Sequence, residues 1–144
     1  MSSTSARLIT IVALLVTCAA TVAAQSAANL TVIVSYNGKG KVDETHEILV
    51  FLFDHPVPTA DSNPLAVQSV QKSGGTATFT SISSSPVYVV MVYDEKADYD
   101  GRSGPPPAGT PIGTYSKAGK PVPVTPGANV KVVVSFDDSK RWTP

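Results

Sequence analysis

The stretch Val87-Tyr88-Val89-Val90-Met91-Val92-Tyr93, running into Asp94-Glu95 and then a proline-rich tract, decides the fold. It is short, rich in β-branched and aromatic residues, and apolar at both odd and even positions. A strand covered on two sides has this pattern, and a helix with a solvent face does not. Ile48-Leu49-Val50-Phe51-Leu52-Phe53 has the same character and is followed by Pro56 and Pro58. It reads as a second central strand beside the first, or as one whose outer face meets a flanking loop. Further out, Leu30, Val32, Val34 and Tyr36 alternate with Thr31, Ile33 and Ser35, and Val130, Val132, Val134 and Phe136 alternate with Lys131 and Ser135. Both are half-buried strands. Residues 65–70 and 76–82 flank Ser73-Gly74-Gly75 and predict a hairpin, with Thr76, Thr78 and Thr80 outward and Ala77 and Phe79 inward. Gly38-Lys39-Gly40 reads as a second hairpin turn, and residues 112–115 as a short strand before the turns at Pro121, Pro123 and Pro126-Gly127. The sum is an all-β, seven-stranded, two-sheet Greek-key sandwich.

The chain has 144 residues. Its first 24 have the layout of a secretion signal: one basic residue, Arg7, an apolar run over 8–16, and small residues ending Val22-Ala23-Ala24 before Gln25. Cleavage after Ala24 leaves a single domain over 25–144, expected to be secreted or periplasmic. The apolar run is shorter than the roughly 20 residues a membrane-spanning helix needs, so no transmembrane anchor is expected in the mature chain. Leu15-Val16-Thr17-Cys18 resembles a bacterial lipoprotein box, which offers the alternative of lipid anchoring through Cys18. Cys18 is the single cysteine, so loss of the signal excludes disulfides and thiol chemistry. Without Arg7, 10 basic residues face 11 acidic ones. That balance gives no cationic surplus for nucleic acid or an anionic membrane.

The passage from Val87 to Glu95, then Asp98-Tyr99-Asp100-Gly101 and Gly109-Thr110-Pro111-Ile112-Gly113-Thr114-Tyr115, resembles the prealbumin-like sandwich domains of exported bacterial proteins. In these a "Tyr-Val-Val-x-Val-x-x-Asp-Glu" strand precedes an acidic loop and a Gly-x-Pro-x-Gly-x-Tyr segment, and residues 48–54 resemble their second strand. The resemblance covers about two-thirds of the mature chain and implies a prealbumin- or immunoglobulin-like sandwich, of the transthyretin and carboxypeptidase-regulatory type. It carries no activity over. The hydroxyisourate hydrolases of that fold end in Tyr-Arg-Gly-Ser, whereas this chain ends Lys140-Arg141-Trp142-Thr143-Pro144. The intradiol dioxygenases bind iron through two Tyr and two His, but His46 and His55 stand at the two ends of one strand, about 30 Å apart at 3.3 Å per step.

The acidic loop 94–111 is the best candidate site. Asp94, Glu95, Asp98 and Asp100 lie within seven residues, and Asp98-x-Asp100-Gly101 has the alternating acids and turn glycine of an oxygen-ligand loop. Calcium held by Asp94, Asp98 and Asp100 is one expectation; a solvated loop balanced by Lys96 and Arg102 is the plainer one. An EF-hand is excluded, because Pro105 or Gly109 stands where its twelfth-position Glu belongs. Tyr99, Arg102 and Tyr115 are the candidate ligand-binding residues, with Trp142 as a further aromatic that either joins a binding platform or seals the core. Pro105-Pro106-Pro107 stiffens the loop or serves recognition. Gly101-Arg102-Ser103-Gly104 lacks nucleophile-elbow spacing, and the prolines after it forbid the helix that should follow the serine. The leading expectation is a non-enzymatic, exported binding or structural module meeting an envelope or extracellular protein or carbohydrate. A calcium-stabilised recognition domain is the first alternative, and a small hydrolase with Ser103 or the acids on a cleft floor the second.

Overall fold

A computed structural model describes residues 28–144, so the expected signal 1–24 and the alternative anchor Cys18 lie outside the described residues. The described residues form nine strands and no helix: β1 (Leu30–Tyr36), β2 (Ile48–Phe53), β3 (Ala66–Val70), β4 (Gly75–Phe79), β5 (Tyr88–Tyr93), β6 (Ile112–Thr114), β7 (Ser116–Lys117), β8 (Lys120–Pro121) and β9 (Lys131–Phe136). With no helix among them, none of these residues supplies a helix long and apolar enough to cross a membrane. Seven strands build the two main sheets, ordered β4-β1-β9 and β3-β2-β5-β6, while β7 and β8 make a small separate ribbon. The architecture is an all-β sandwich.

Alternation decides what each sheet gives the core. β1 buries Leu30, Val32, Val34 and Tyr36, β4 adds Ala77 and Phe79, and β9 adds Val132, Val134 and Phe136. From the facing sheet come Ile48, Val50, Leu52, Val89, Met91 and Tyr93. Each fully buried aliphatic side chain of this set contributes about 1.5–3 kcal/mol of transfer free energy. Gly113 is required here: a Cβ on it stands 2.5 Å from Phe136 Cβ and 3.0 Å from Met91 Cε, so β6 approaches β9 only because the position is bare. β2 and β5 are paired central neighbours, with Ile48 opposite Tyr93 and Phe53 opposite Tyr88. All six residues of β2 are buried, as two-sided hydrophobicity requires.

Two turns differ from their expected geometry. The 65–70 and 76–82 segments do not form a hairpin: β3 pairs with β2 and β4 pairs with β1. Ser73-Gly74-Gly75 therefore carries the chain from one sheet to the other, anchored by Gly74 N–H to Val34 O (2.8 Å) and Tyr36 N–H to Ser73 Oγ (2.9 Å). Local turn chemistry specifies a reversal; which neighbour each strand bonds is decided by the distant apolar faces it must cover. Gly38-Lys39-Gly40 likewise crosses between sheets, since β1 and β2 are not paired. It passes so closely over Tyr36 and Tyr93 that a Cβ at Gly38 or Gly40 would collide with those rings. β1 and β9, the first and last strands, pair in parallel, a long-range relationship no local pattern announces.

Candidate functional site: an apolar cleft over the four-stranded sheet

The outer face of a sandwich sheet is ordinarily polar. Here the outward residues of β2 and β5 are Leu49, Phe51, Phe53, Val90 and Val92, all buried in a second apolar cluster distinct from the core. Three segments outside the main strands shield them: 54–64, 99–106 and the tail 141–144. Between these lies a cleft of about 430 Å³ with Phe51, Phe53, Val90, Val92 and Ile112 on the sheet side.

The acidic loop forms one wall by folding back on the sheet. Tyr99 stacks on Phe51, and its hydroxyl donates to Gly104 O at 2.8 Å. Burial, reinforced by the Asp100 charge, pushes the Tyr99 phenol up to about 12. Gly101 makes the turn possible, with φ +73° and a would-be Cβ 3.1 Å from both Phe51 and Val67. The carboxylate of Asp94, buried, accepts from Asp98 N–H (3.2 Å) and Tyr99 N–H (3.3 Å). Asp100 accepts from Arg102 N–H (2.9 Å) and Ser103 N–H (3.1 Å), and these bonds hold its carboxyl below the usual range. The two aspartates thus act as side-chain caps of the loop backbone.

That assignment bears on the expected metal. Among the described residues no three His, Cys, Asp or Glu side chains are grouped to hold an ion, and Asp94 and Asp100 bond backbone N–H groups of the loop. The expected ligand trio is also divided. Tyr99 lines the cleft, Tyr115 packs against the inner core on the other side of the sheet, and Arg102 is exposed and does not line the cleft. Trp142 does join Tyr99 in the cleft, and Arg141 stands where Arg102 was expected.

The tail reaches the cleft by running along the open edge beside β6. Trp142 N–H donates to Thr110 O and Gly109 N–H to Trp142 O, both at 2.8 Å, and Ile112 N–H donates to Lys140 O at 3.0 Å. Arg141 Nη1 donates to Glu95 Oε1 (2.9 Å) and Gly109 O (2.6 Å), with Asp138 3.6 Å from Nη2. The bond to Glu95 raises the Arg141 pKa further, so the guanidinium is always charged.

The third wall, 54–64, is tied by His55. Its ring meets Phe53 edge-on at 5.6 Å, its Nδ1 lies 2.5 Å from Asp54 Oδ1, and its Nε2 lies 2.8 Å from Ser62 Oγ. Ser62 Oγ also accepts from Thr59 N–H at 2.8 Å, closing the turn. His46 bonds Asp43 at the opposite end of β2, so the two histidines are separated as strand length demands. The traces of the cleft in the sequence were the two-faced apolarity of 48–53 and 87–93 with prolines following, and the aromatics Tyr99 and Trp142; sequence reasoning missed Phe51, Phe53, Val57 and Arg141 as its parts.

No family model, no curated protein and no solved structure matches this chain.

Proposed function

We propose that this domain is an exported, non-enzymatic binding module of the cell envelope or extracellular space, and that its recognition site is the cleft over Phe51, Phe53, Val90 and Val92. The observation that carries this is the recess itself: about 430 Å³, floored by aromatic and aliphatic side chains with few polar groups, as small-molecule and side-chain pockets are. Export is supported by the N-terminal sequence pattern. A prealbumin-like type is supported by two packed sheets and by Gly113, whose place in the Gly-x-Pro-x-Gly-x-Tyr segment matches a point where only glycine fits. An apolar ligand suits the cleft better than a sugar, whose hydroxyls would face Phe, Val and Pro without partners.

The test is a titration with the neutral apolar dye Nile red. Val57 lines the cleft and is 68 % exposed, so Val57→Lys alters the site without touching the core. The domain is expected to bind the dye, and Val57→Lys to weaken binding several-fold with an unchanged melting temperature. Binding insensitive to Val57→Lys and to Phe53→Ala would sink the assignment.

One observation favours a second reading, a small hydrolase. Ser62 Oγ, His55 and Asp54 follow the order of nucleophile, base and orienting acid. The hydrogen bonds also have a plainer use in closing the 54–64 loop, and Asp54, 61 % exposed, is solvated as a catalytic orienting acid ordinarily is not. Ser103, the serine expected from sequence, is exposed and does not line the cleft. Hydrolysis of a p-nitrophenyl ester abolished by Ser62→Ala would favour the hydrolase; a rate equal to the buffer's favours the binding module.

A further inference from the structure

The chain has four asparagines, Asn29, Asn37, Asn63 and Asn129, and they are not chemically equal. The backbone nitrogen after an asparagine can attack the side-chain amide carbon, and it does so fastest in glycine, which has no side chain to shield it. Asn63 precedes Pro64, which has no N–H to give up, and Asn129 precedes Val130, whose branched Cβ crowds the approach. Asn29 precedes Leu30, and its Oδ1 accepts from Ser81 N–H at 3.3 Å. Asn37 alone precedes a glycine.

The fold leaves that step open. Asn37 is exposed just past β1, and among the described residues no hydrogen bond engages its side-chain amide or the Gly38 N–H. Only the flanking groups are held, Asn37 N–H by Phe136 O at 2.8 Å and Lys39 N–H by Asp138 Oδ2 at 2.9 Å. Asp100-Gly101 is the contrasting step. Its carboxylate accepts from Arg102 N–H, Ser103 N–H and Ser103 Oγ, which keep it ionised and so a poor electrophile. We propose that Asn37 is a site of spontaneous covalent modification, at which the Asn37-Gly38 step passes through a succinimide to an isoaspartyl or aspartyl residue with water as the co-reactant. Gly38 N bonds to Asn37 Cγ as the Cγ–Nδ2 bond breaks, and Nδ2 leaves as ammonia with the proton that Gly38 N gives up. Water then opens the ring at Cγ to give aspartyl, or at the Asn37 backbone carbonyl carbon to give isoaspartyl.

The product bears on the end of the sandwich. A Cβ at Gly38 would collide with the Tyr36 ring and stand 2.7 Å from Asp138 Oδ1, so the arch has no slack. An isoaspartyl link adds a methylene to the main chain at the mouth of this arch, and a free carboxylate of the same sign as Asp138.

The intact domain, aged at mildly alkaline pH, is followed by peptide mapping in a mass spectrometer and by enzymatic methylation of isoaspartyl carboxylates. Asn37 is expected to convert several-fold faster than Asn129, with methylation confined to its peptide, and the aged protein to melt below the fresh one. Asn37→Gln is expected to abolish the methylation, because glutamine must close a larger ring. The wild-type map decides even where Asn37→Gln impairs folding, since each asparagine has its own peptide. Asn37 persisting as long as Asn129 overturns the proposal. Conversion in a free peptide of residues 34–41 but not in the domain overturns it as well, and shows that the arch holds the step shut.

Discussion

Tyr99 lies over Phe51 with ring centroids 6.3 Å apart and planes 30° from parallel. This contact joins the acidic loop to the outer face of β2 and makes one wall of the cleft. Tyr99→Ala removes the stacking and part of the cluster's cover, at a cost of about 2 kcal/mol. Urea unfolding followed by circular dichroism measures it, and Tyr99→Phe, which loses only the bond to Gly104 O, is expected to cost less than half as much.

Gly101→Ala forces a side chain into a left-handed backbone, which alone costs about 1–2 kcal/mol. Its Cβ also presses on Phe51 and Val67. The expected result is a lower urea midpoint with an unchanged slope, together with loss of Nile red binding as the loop lifts. Gly104→Ala is the control: it shares the positive φ but meets nothing within 4 Å, so it is expected to destabilise less.

The pH dependence follows from one end of the sandwich. The Tyr36 hydroxyl donates to Asp138 Oδ1, and Lys39 N–H donates to Oδ2 at 2.9 Å. These bonds, led by the one from Tyr36, hold the Asp138 carboxyl below its ordinary value of 3.8. A depressed carboxylate contributes stability that is present above 3.8 and lost as pH falls through the folded value. Tyr36 moves the other way, pushed well above its ordinary 10.0 first by burial and then by Asp138. Its contribution is full below 10.0 and declines as pH rises beyond it. Melting temperature against pH is expected to fall at both ends, and Asp138→Asn to flatten the acid limb. An acid limb unchanged by Asp138→Asn would contradict this linkage.

Calcium is expected to leave the melting temperature unchanged, because Asp94 and Asp100 are occupied with backbone N–H groups. Thermal unfolding with millimolar calcium and with chelator checks this. A rise with calcium concentration would show that the loop rearranges to bind the ion.

Which strands exist, and which two are central, was legible in local patterns: two-faced apolarity in 48–53 and 87–93, and alternation in 30–36 and 131–136. Partners were less legible. Ser73-Gly74-Gly75 and Gly38-Lys39-Gly40 have the same turn chemistry whether they join bonded strands or arch over the core. The candidate site was half legible. Tyr99 and Trp142 were recognised, but their partners Phe51, Phe53 and Arg141 come from segments far apart in sequence. Side-chain periodicity separates the two faces of a strand without showing what roofs the outer one. Clustering of Asp94, Asp98 and Asp100 in sequence did not show that Asp94 and Asp100 bond their own loop backbone, because a side-chain cap depends on the path the loop takes.

The most direct test of the cleft is a methyl NMR titration of the domain with Nile red. Shifts are expected at Val57, Val90, Val92 and Ile112, with Val133, which is 68 % exposed on the other sheet, unmoved. Shifts centred on Val133, with the cleft methyls silent, would contradict the account.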